Sequence, residues 1–399
     1  MLKSTKSALR IVVYFPFSVI EDTHLIKDLH LARSLSDLGH EVTLVAGLSA
    51  LTQSGMARLN SVEVKVTRNS VRQRLVHPLG YPKEIYQMCH VMFEIEPDAI
   101  IMLHIGPIGV LLRTVYELVR RIAILGGRKY QETVFILKSD TDGSPLVTEK
   151  NRAFWRIVLK ACSITFNAIT VESTCALTVL KRYALPIAKL CVVRNGYANS
   201  IFYPRRCPGI KRSNTVICVA RVTRVKGLEV LIGAFGMLRS SYPDWKLLIV
   251  GHSDDRVYQS YLDSLIARLG IGDSVEFVGH VSPETLAELY SMASIFCLPS
   301  RREGSPISRT EAAACGLPLV ITEAGCGLEY VGRGALVIPT ANPARMSAAL
   351  TSLMSDPDLR SRLSNEGLRH VQSWDQVARA YSDMIYDHLS RAPQIDLQH

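Results

Sequence analysis

Two glutamates in the C-terminal half of the chain have a spacing and setting that suggest chemistry. Glu303 and Glu311 are separated by seven residues, and Pro306 between them is incompatible with one continuous helix. Glu303 is therefore predicted on a loop and Glu311 on the helix that follows. The first turn of such a helix, placed after a buried strand, offers unpaired N–H groups to an anion. The alternative is a solvated acidic loop that joins a core strand to its helix.

Two basic residues stand in a comparable setting earlier in the same half. Arg221 closes the apolar run "VICVA", and Lys226 precedes a helical pattern that starts near residue 228. Taken singly, each could be a solvated loop cation. Together with the two glutamates they predict a cationic pocket opposite carboxylates. Cations suit a diphosphate and carboxylates suit hydroxyl groups, so the expected ligand is a nucleoside diphosphate joined to a hydroxyl-rich group.

The elements that must position these residues are strands and helices in alternation. Continuous apolar runs such as "IVVYF" and "AIIML" alternate with helical patterns, which is typical of parallel sheets covered on both faces. The turn-rich segment 192–214 interrupts the series, and a second series follows it. The sequence thus predicts the α/β class, with two doubly wound, Rossmann-like domains facing a cleft. The expected domains are an N-terminal domain, 1–195, and a C-terminal domain, 196–373, that carries the predicted pocket.

Composition agrees with a large α/β core. The chain has 399 residues, of which 48% are hydrophobic and 7% aromatic. Nine cysteines are scattered without CxxC spacing, so no metal site is expected. The opening "MLKSTKSALR" is a short basic segment that runs into an apolar strand. We therefore expect no signal peptide and a cytoplasmic location.

The sequence lacks the characteristic motifs of several enzyme classes. No strand is followed by G-x-G-x-x-G with an acidic residue about 20 positions on, which argues against a dinucleotide dehydrogenase. A P-loop, a serine nucleophile elbow and a metal-spaced histidine pair are also missing. Asp140 and Asp142 form an Asp-x-Asp triplet, which resembles a metal-binding motif found in one fold of sugar transferases. An acceptor-binding or capping role is the preferred interpretation of this isolated match.

Positive charge is concentrated in the N-terminal half. Residues 1–200 contain 25 Lys and Arg against 16 Asp and Glu, whereas residues 201–399 contain 21 against 20. No nucleic-acid-binding pattern accompanies the excess, so no nucleic-acid partner is expected. Segments 68–86 and 113–129 mix basic with large apolar residues, which favours an anionic membrane surface as partner. An ordinary amphipathic helix with a basic solvent face is the alternative.

Several motifs in register resemble those of one enzyme family. "CVARVTRVKGLEVLIGAF" is similar to a G-R-x-x-x-x-K-G segment, and "EGSPISRTEAAACGLPLVITEAGCGLE" contains an E-x7-E pair. Over roughly residues 190–335 the chain resembles the retaining glycosyltransferases of the group 1, or family 4, type, which have the GT-B fold. The N-terminal half matches less well, with "LHLARSLSDLGHEVTLVAG" resembling the first helix and second strand of the family. "SVIEDTHLIKD" stands where the family usually has a Gly-Gly loop.

The resemblance implies a role for each matching residue. It assigns the donor diphosphate to Arg221 and Lys226, the ribose to Glu311 and the hydroxyls of the transferred sugar to Glu303. The backbone amides of Gly304 and Ser305 would help to bind phosphate. His104 matches a histidine at the end of a central N-terminal strand. The implied catalytic set is therefore Glu303, Lys226, Arg221 and His104.

The resemblance also implies an activity. It predicts a retaining, metal-independent hexosyltransferase of polysaccharide biosynthesis that needs no cofactor. The donor would be a UDP- or GDP-sugar and the acceptor a hydroxyl of a glycan or lipid-linked molecule, in the cytoplasm or on the inner face of the membrane. The N-terminal domain would lie on the acceptor side, with the C-terminal helix, 374–399, packed back on it, and the C-terminal domain would bind the nucleotide sugar. A sugar-nucleotide epimerase or phosphorylase on the same fold and a degenerate sugar-nucleotide-binding protein are the alternatives.

Overall fold

The chain forms two compact units, seen in a computed structural model. The first comprises Met1–Asn195 with Trp374–His399, and the second comprises Gly196–Ser373. The structure describes residues 7–14, 23–47, 63–67, 89–103, 107–127, 132–139, 152–182, 187–204, 212–304 and 306–391.

A seven-stranded parallel sheet forms the centre of the first unit. Its order is β3-β2-β1-β4-β5-β6-β7. The strands are β1 (Arg10–Tyr14), β2 (Glu41–Gly47), β3 (Glu63–Thr67), β4 (Ala99–Leu103), β5 (Val134–Ser139), β6 (Ala168–Val171) and β7 (Leu190–Val192). Every residue of β4 and β5 is buried, as expected for central strands covered on both faces.

Helices cover the sheet of the first unit. Those with described bounds are α1 (Thr23–Asp37), α2 (Pro107–Leu125), α3 (Arg152–Thr165), α4 (Thr174–Lys181) and the C-terminal helix α12 (Trp374–Arg391). The last of these packs against α1 and β5. The Tyr381 and Thr170 hydroxyls are 2.7 Å apart, and His40 Nε2 lies 2.9 Å from Ser382 Oγ. These buried hydrogen bonds attach α12 to residues of the first unit that lie far from it in the sequence.

The second unit has a six-stranded parallel sheet of the order β10-β9-β8-β11-β12-β13. Its strands are β8 (Thr215–Val219), β9 (Lys246–Val250), β10 (Val275–Gly279), β11 (Ile295–Leu298), β12 (Leu319–Thr322) and β13 (Ala335–Ile338). The strand order reverses between β8 and β11, and ligands of doubly wound sheets bind beyond the strand ends at this kind of switch point.

Seven helices accompany the described strands of the second unit. They are α5 (Leu228–Leu238), α6 (Arg256–Leu269), α7 (Pro283–Met292), α8 (Ile307–Ala314), α9 (Gly327–Val331), α10 (Pro343–Ser355) and α11 (Pro357–His370). Local signals fix several ends. Ser282 Oγ accepts the Thr285 N–H as the N-cap of α7, and Pro283 occupies its first turn.

The α/β class and the parallel sheets predicted from the sequence are confirmed. Two strands were not predicted, β3 and β7. The first reads "EVKVT", with charged residues in alternation, and the second has only three residues. Neither carries the continuous apolar run that marks the central strands.

Candidate active site

The ends of two neighbouring strands position the candidate residues of the second unit. Strands β8 and β11 pair in parallel, so their carboxyl ends meet at one edge of the sheet. Arg221 follows β8 by two residues, and Glu303 follows β11 by five. The side chain of Arg221 is exposed to solvent. Residues that are distant in sequence are thereby brought to one edge.

The loop that carries Lys226 lies directly on the loop after β11. A single 3-10 turn, Arg224–Lys226, is ended by Gly227 at a φ of 64°. A Cβ atom on Gly227 would lie 2.6 Å from the carbonyl oxygen of Pro299, so only glycine permits this approach. The N–H of Arg301 donates to the carbonyl of Val225 at 2.8 Å. The two loops therefore hold one another in register.

Lys226 and Glu303 form an ion pair at this contact. Lys226 Nζ donates to Glu303 Oε1 at 2.6 Å, and the side chains are 17% and 7% exposed. The Ser300 hydroxyl donates to the same carboxylate oxygen. Ser300 is held in turn, because its carbonyl accepts from Thr322 Oγ1 at 2.6 Å. The structure thus brings a predicted cation and a predicted carboxylate into direct contact.

A second glycine closes the other side of the Glu303 loop. Gly325 has a φ of 68°, and a Cβ on it would lie 2.6 Å from the carbonyl oxygen of Glu303. Arg309, which is buried in α8, donates from Nη2 to the Gly325 carbonyl at 3.2 Å. Its guanidinium lies 4.4 Å from the ring centre of Tyr330. Arg309 therefore braces the segment that packs on Glu303.

Glu311 lies on α8 and is partly buried. Burial raises the pKa of this carboxyl from its ordinary value to about 8, and a hydrogen bond from Tyr290 opposes part of the shift. Burial also raises the pKa of Tyr290 well above its ordinary value, with the Glu311 charge as the next cause. Burial therefore favours the neutral form of the Glu311 carboxyl, whereas the Glu303 carboxylate lies against a cation.

Sequence reasoning missed the residues that support this site. Arg309 was overlooked because a helical arginine ordinarily faces solvent, and nothing in "ISRTEAAA" indicates otherwise. Arg301 and Glu229 form an ion pair that joins the β11 loop to the first turn of α5. Glu229 also accepts a hydrogen bond from the Tyr258 hydroxyl. The acidic residue in the first turn of α5 is the one signal that could have drawn attention to this pair.

The other predicted residues are placed only in part. Gly304 lies beside Glu303 in the described loop and is partly buried. His104, Asp140, Asp142 and Ser305 lie outside the described residues. Across the ranges that the structure describes, no cluster of three or more His, Cys, Asp or Glu residues could hold a metal ion. Within the same ranges, no helix has the length and apolar content needed to cross a bilayer.

Comparison with known proteins gives a family match within the second unit. Residues 205–370 match the family described as "Glycosyl transferases group 1". Over 201 residues the chain is 32% identical to D-inositol 3-phosphate glycosyltransferase of Corynebacterium kroppenstedtii, covering 48% of this chain and 44% of that protein. It is also 32% identical over 225 residues to MMP alpha-(1->4)-mannosyltransferase of Mycolicibacterium hassiacum, covering 55% and 53%. The chain spans about half the length of these curated relatives.

Likeness to solved structures extends over nearly the whole chain. HepE of Anabaena in complex with UDP superposes with a TM-score of 0.76 at 14% identity, covering 95% of this chain and 100% of that one. The same protein in complex with UDP-glucose gives a TM-score of 0.71 at 16% identity, covering 96% and 100%. At these identities the likeness concerns the fold.

Proposed function

Residues 205–370 belong to the group 1 glycosyl transferases, and on that premise we propose that the chain is a retaining hexosyltransferase. Its donor is a nucleoside-diphosphate sugar with uridine or guanosine as base. Its acceptor is a hydroxyl of a glycan or lipid-linked molecule. The observation that carries the proposal is the Lys226–Glu303 pair at the shared ends of β8 and β11, with Glu311 on the helix that follows.

The cations at this edge suit the leaving group of such a donor. Breaking the bond between the anomeric carbon and the β-phosphate oxygen puts negative charge on the diphosphate. Lys226 and Arg221 stabilise that charge as it develops, which is the largest single contribution in most transfer reactions. An arriving phosphate competes with Glu303 for the Lys226 ammonium. The donor thus weakens the ion pair present in the free protein and frees carboxylate oxygens of Glu303 for sugar hydroxyls.

The acidic groups divide the recognition of the donor between them. Glu303 binds the transferred sugar, and Glu311 binds the ribose hydroxyls. The acceptor hydroxyl attacks on the face that the leaving group departs from, and its proton passes to the leaving phosphate oxygen. The anomeric configuration is retained without a carboxylate nucleophile. The amides of Gly304 and Ser305 bind phosphate, His104 contributes to catalysis, and Asp140 and Asp142 bind on the acceptor side.

One structural relative with bound ligands supports the donor class, since HepE of Anabaena was solved with UDP and with UDP-glucose. The proposed reaction needs neither a resident metal nor a cofactor. We place it in polysaccharide biosynthesis in the cytoplasm, on the inner face of the membrane. The excess of basic residues in positions 1–200 supports that placement.

A two-step experiment tests the proposal. Thermal unfolding of the full chain with a panel of UDP- and GDP-sugars should show stabilisation by one donor. Product analysis with that donor should then show sugar transfer only when an acceptor is added, with the anomeric configuration retained by NMR. Formation of an isomeric nucleotide sugar without acceptor would mean an epimerase. Sugar phosphate formed from a glycan and inorganic phosphate would mean a phosphorylase. Binding without either product would mean a sugar-nucleotide-binding protein.

A further inference from the structure

Helices α2 and α3 lie side by side in the first unit, and their inner faces belong to its core. Leu112 and Tyr116 of α2 and Val158 and Cys162 of α3 are buried in one hydrophobic cluster with residues of the sheet. A helix that packs on one face ordinarily presents polar residues on the other. The outer faces of these two helices do not follow that pattern.

Four large aliphatic side chains line the outer face of α2. Leu111, Leu118, Ile122 and Leu125 are between 47% and 88% exposed. Their spacing of seven, four and three residues places them in one stripe along the helix. Scattered exposed apolar residues need no explanation, but a continuous stripe of four does.

The outer face of α3 continues the apolar surface. Phe154, Ile157 and Ile164 are between 52% and 71% exposed, and their spacing of three and seven residues again selects one side of the helix. The two helices are neighbours, and their two exposed stripes are together called the α2–α3 surface.

Cations accompany the α2–α3 surface. Arg121 of α2 is exposed, as are Arg156 and Lys160 of α3. The two helices contain six basic residues and one acidic residue, Glu117. Glu117 Oε1 lies 2.7 Å from Arg120 Nη2 and 3.8 Å from Arg121 Nε, so this one carboxylate is shared by two cations and a surplus of positive charge remains. Apolar side chains and a surplus of cations on the same helices match the acyl-chain boundary and the charged headgroups of an anionic bilayer.

We propose that the α2–α3 surface docks the protein on an anionic lipid bilayer. The aliphatic side chains enter the boundary between headgroups and acyl chains, and Arg121, Arg156 and Lys160 bind lipid phosphates. This inference deepens the proposed function, on which it rests for its purpose: a docked enzyme meets a lipid-linked acceptor at the bilayer. The occupant is a bilayer surface that the helices lie on, and no part of α2 or α3 spans it.

The charge argues against a second copy as the occupant. A two-fold dimer would bring the same surface of each copy together. The surplus cations of one copy would then face those of the other, and like charges across an interface are strongly unfavourable. An anionic bilayer supplies the opposite charge over the whole area.

Vesicle flotation of the full chain tests the proposal in the absence of donor and acceptor. Vesicles of equal parts phosphatidylcholine and phosphatidylglycerol should bind the protein, and pure phosphatidylcholine should bind it far more weakly. An apolar variant, Leu118→Ser/Ile122→Ser/Ile157→Ser, should bind at least about tenfold more weakly. A charge variant, Arg121→Gln/Arg156→Gln/Lys160→Gln, should bind about 100-fold more weakly, from about 1 kcal/mol for each cation.

A matched control carries the same chemical change on the second unit. Met237→Ser/Val257→Ser/Met292→Ser alters three side chains of similar exposure and should bind vesicles like the unaltered protein. The proposal is overturned if the unaltered protein fails to float with anionic vesicles. It is equally overturned if the apolar variant binds as tightly as the control, or if the surface proves to mediate a lipid-independent dimer in sedimentation.

Donor binding, measured on the same proteins without vesicles, separates this test from the proposed function. If the protein floats with anionic vesicles but no nucleotide sugar stabilises it, the docking proposal is supported and the proposed enzymatic function is contradicted. If the protein transfers sugar but does not float, the enzymatic function is supported and the docking proposal is contradicted.

Discussion

The two units share one kind of sheet and differ in where they keep their charges. In the second unit, charged residues follow the strands, and the Lys226–Glu303 pair lies at the edge where β8 and β11 end. In the first unit, Lys138 of β5 and Glu172, next to β6, are buried, and Asn195 donates to the Glu172 carboxylate. The first unit instead has a solvent-exposed apolar surface on the outer faces of α2 and α3. The same architecture can therefore carry ligand chemistry in loops at the strand ends, or a docking surface on helices.

The largest expected effect concerns the stability of the first unit alone. Tyr381 and Trp374 of α12 are buried against it, and removing residues 374–399 should expose that apolar surface and cause loss of solubility and activity. The milder change Tyr381→Ala should lower the free energy of unfolding by about 3–5 kcal/mol through the cavity that it leaves. Hydrogen exchange followed by mass spectrometry should show lost protection in the first unit and retained protection in residues 212–304.

Arg379→Ala is the matched control, since this side chain of α12 is exposed. It should change the free energy of unfolding by less than about 0.5 kcal/mol. A truncated protein that stayed soluble and fully active would refute the assignment of α12 to the first unit.

The next effect concerns catalysis in the second unit. Lys226→Ala and Glu303→Ala should each lower kcat by roughly 10²–10³-fold, the usual consequence of losing one transition-state contact. Both proteins should fold, because these side chains lie on loops beyond the sheet. Steady-state kinetics with the donor found by thermal unfolding would measure the effect, with circular dichroism as the folding check.

Lys246→Ala provides a matched loss of charge on an exposed residue of the same unit and should leave kcat unchanged. If Lys226→Ala and Glu303→Ala raised KM alone, with kcat intact, the pair would only hold the nucleotide. The distinction between a catalytic unit and a docking unit would then have to be abandoned.

Local patterns predicted much of this architecture because they act within a few residues. Apolar runs predicted the central strands, and the helical pattern starting near residue 228 predicted α5. Contacts over long separations were not predictable. The Lys226–Glu303 bond joins residues 77 apart, and the buried Arg309 contacts Gly325 and Tyr330, which lie in a later segment of the chain. The four candidates outside the described residues, His104, Asp140, Asp142 and Ser305, stay predictions.

A smaller effect would sharpen the division of labour between the two glutamates. Glu311→Ala should mainly raise the apparent KM for the donor, because the ribose is bound alike in the substrate and the transition state. Kinetics that instead showed a large fall in kcat, as for Glu303→Ala, would contradict the separate roles.

The pH dependence of stability provides an independent test of Glu311. Its pKa of about 8 in the folded protein lies above the ordinary value of 4.5, so unfolding between these pH values releases a proton. The free energy of unfolding should therefore fall as the pH rises, by roughly 3–4 kcal/mol between pH 5 and 8. The Gln side chain of Glu311→Gln cannot ionise. The free energy of unfolding of this variant, measured by urea denaturation, should therefore lack this part of the dependence on pH. An unchanged slope would show that Glu311 is ionised throughout this range.

The smallest effect concerns the ion pair between Arg301 and Glu229, which links the Glu303 loop to the helix that follows Lys226. Arg301→Ala removes the side-chain link but keeps the backbone bond from Arg301 to Val225. Since Arg301 is 45% exposed, the pair should contribute only about 0.2–1 kcal/mol, and kcat/KM should fall a few-fold. Added salt should reduce the differences in stability and in kcat/KM between the Arg301→Ala variant and the unaltered protein.

A double-mutant cycle with Glu229→Gln separates positioning from general loss of charge. If the pair aligns the two loops, the double variant should be as active as either single variant. The lost activity should appear mainly in kcat. Additive losses would mean that the residues act independently. The two loops would then be held in register by Gly227 and the backbone bond alone.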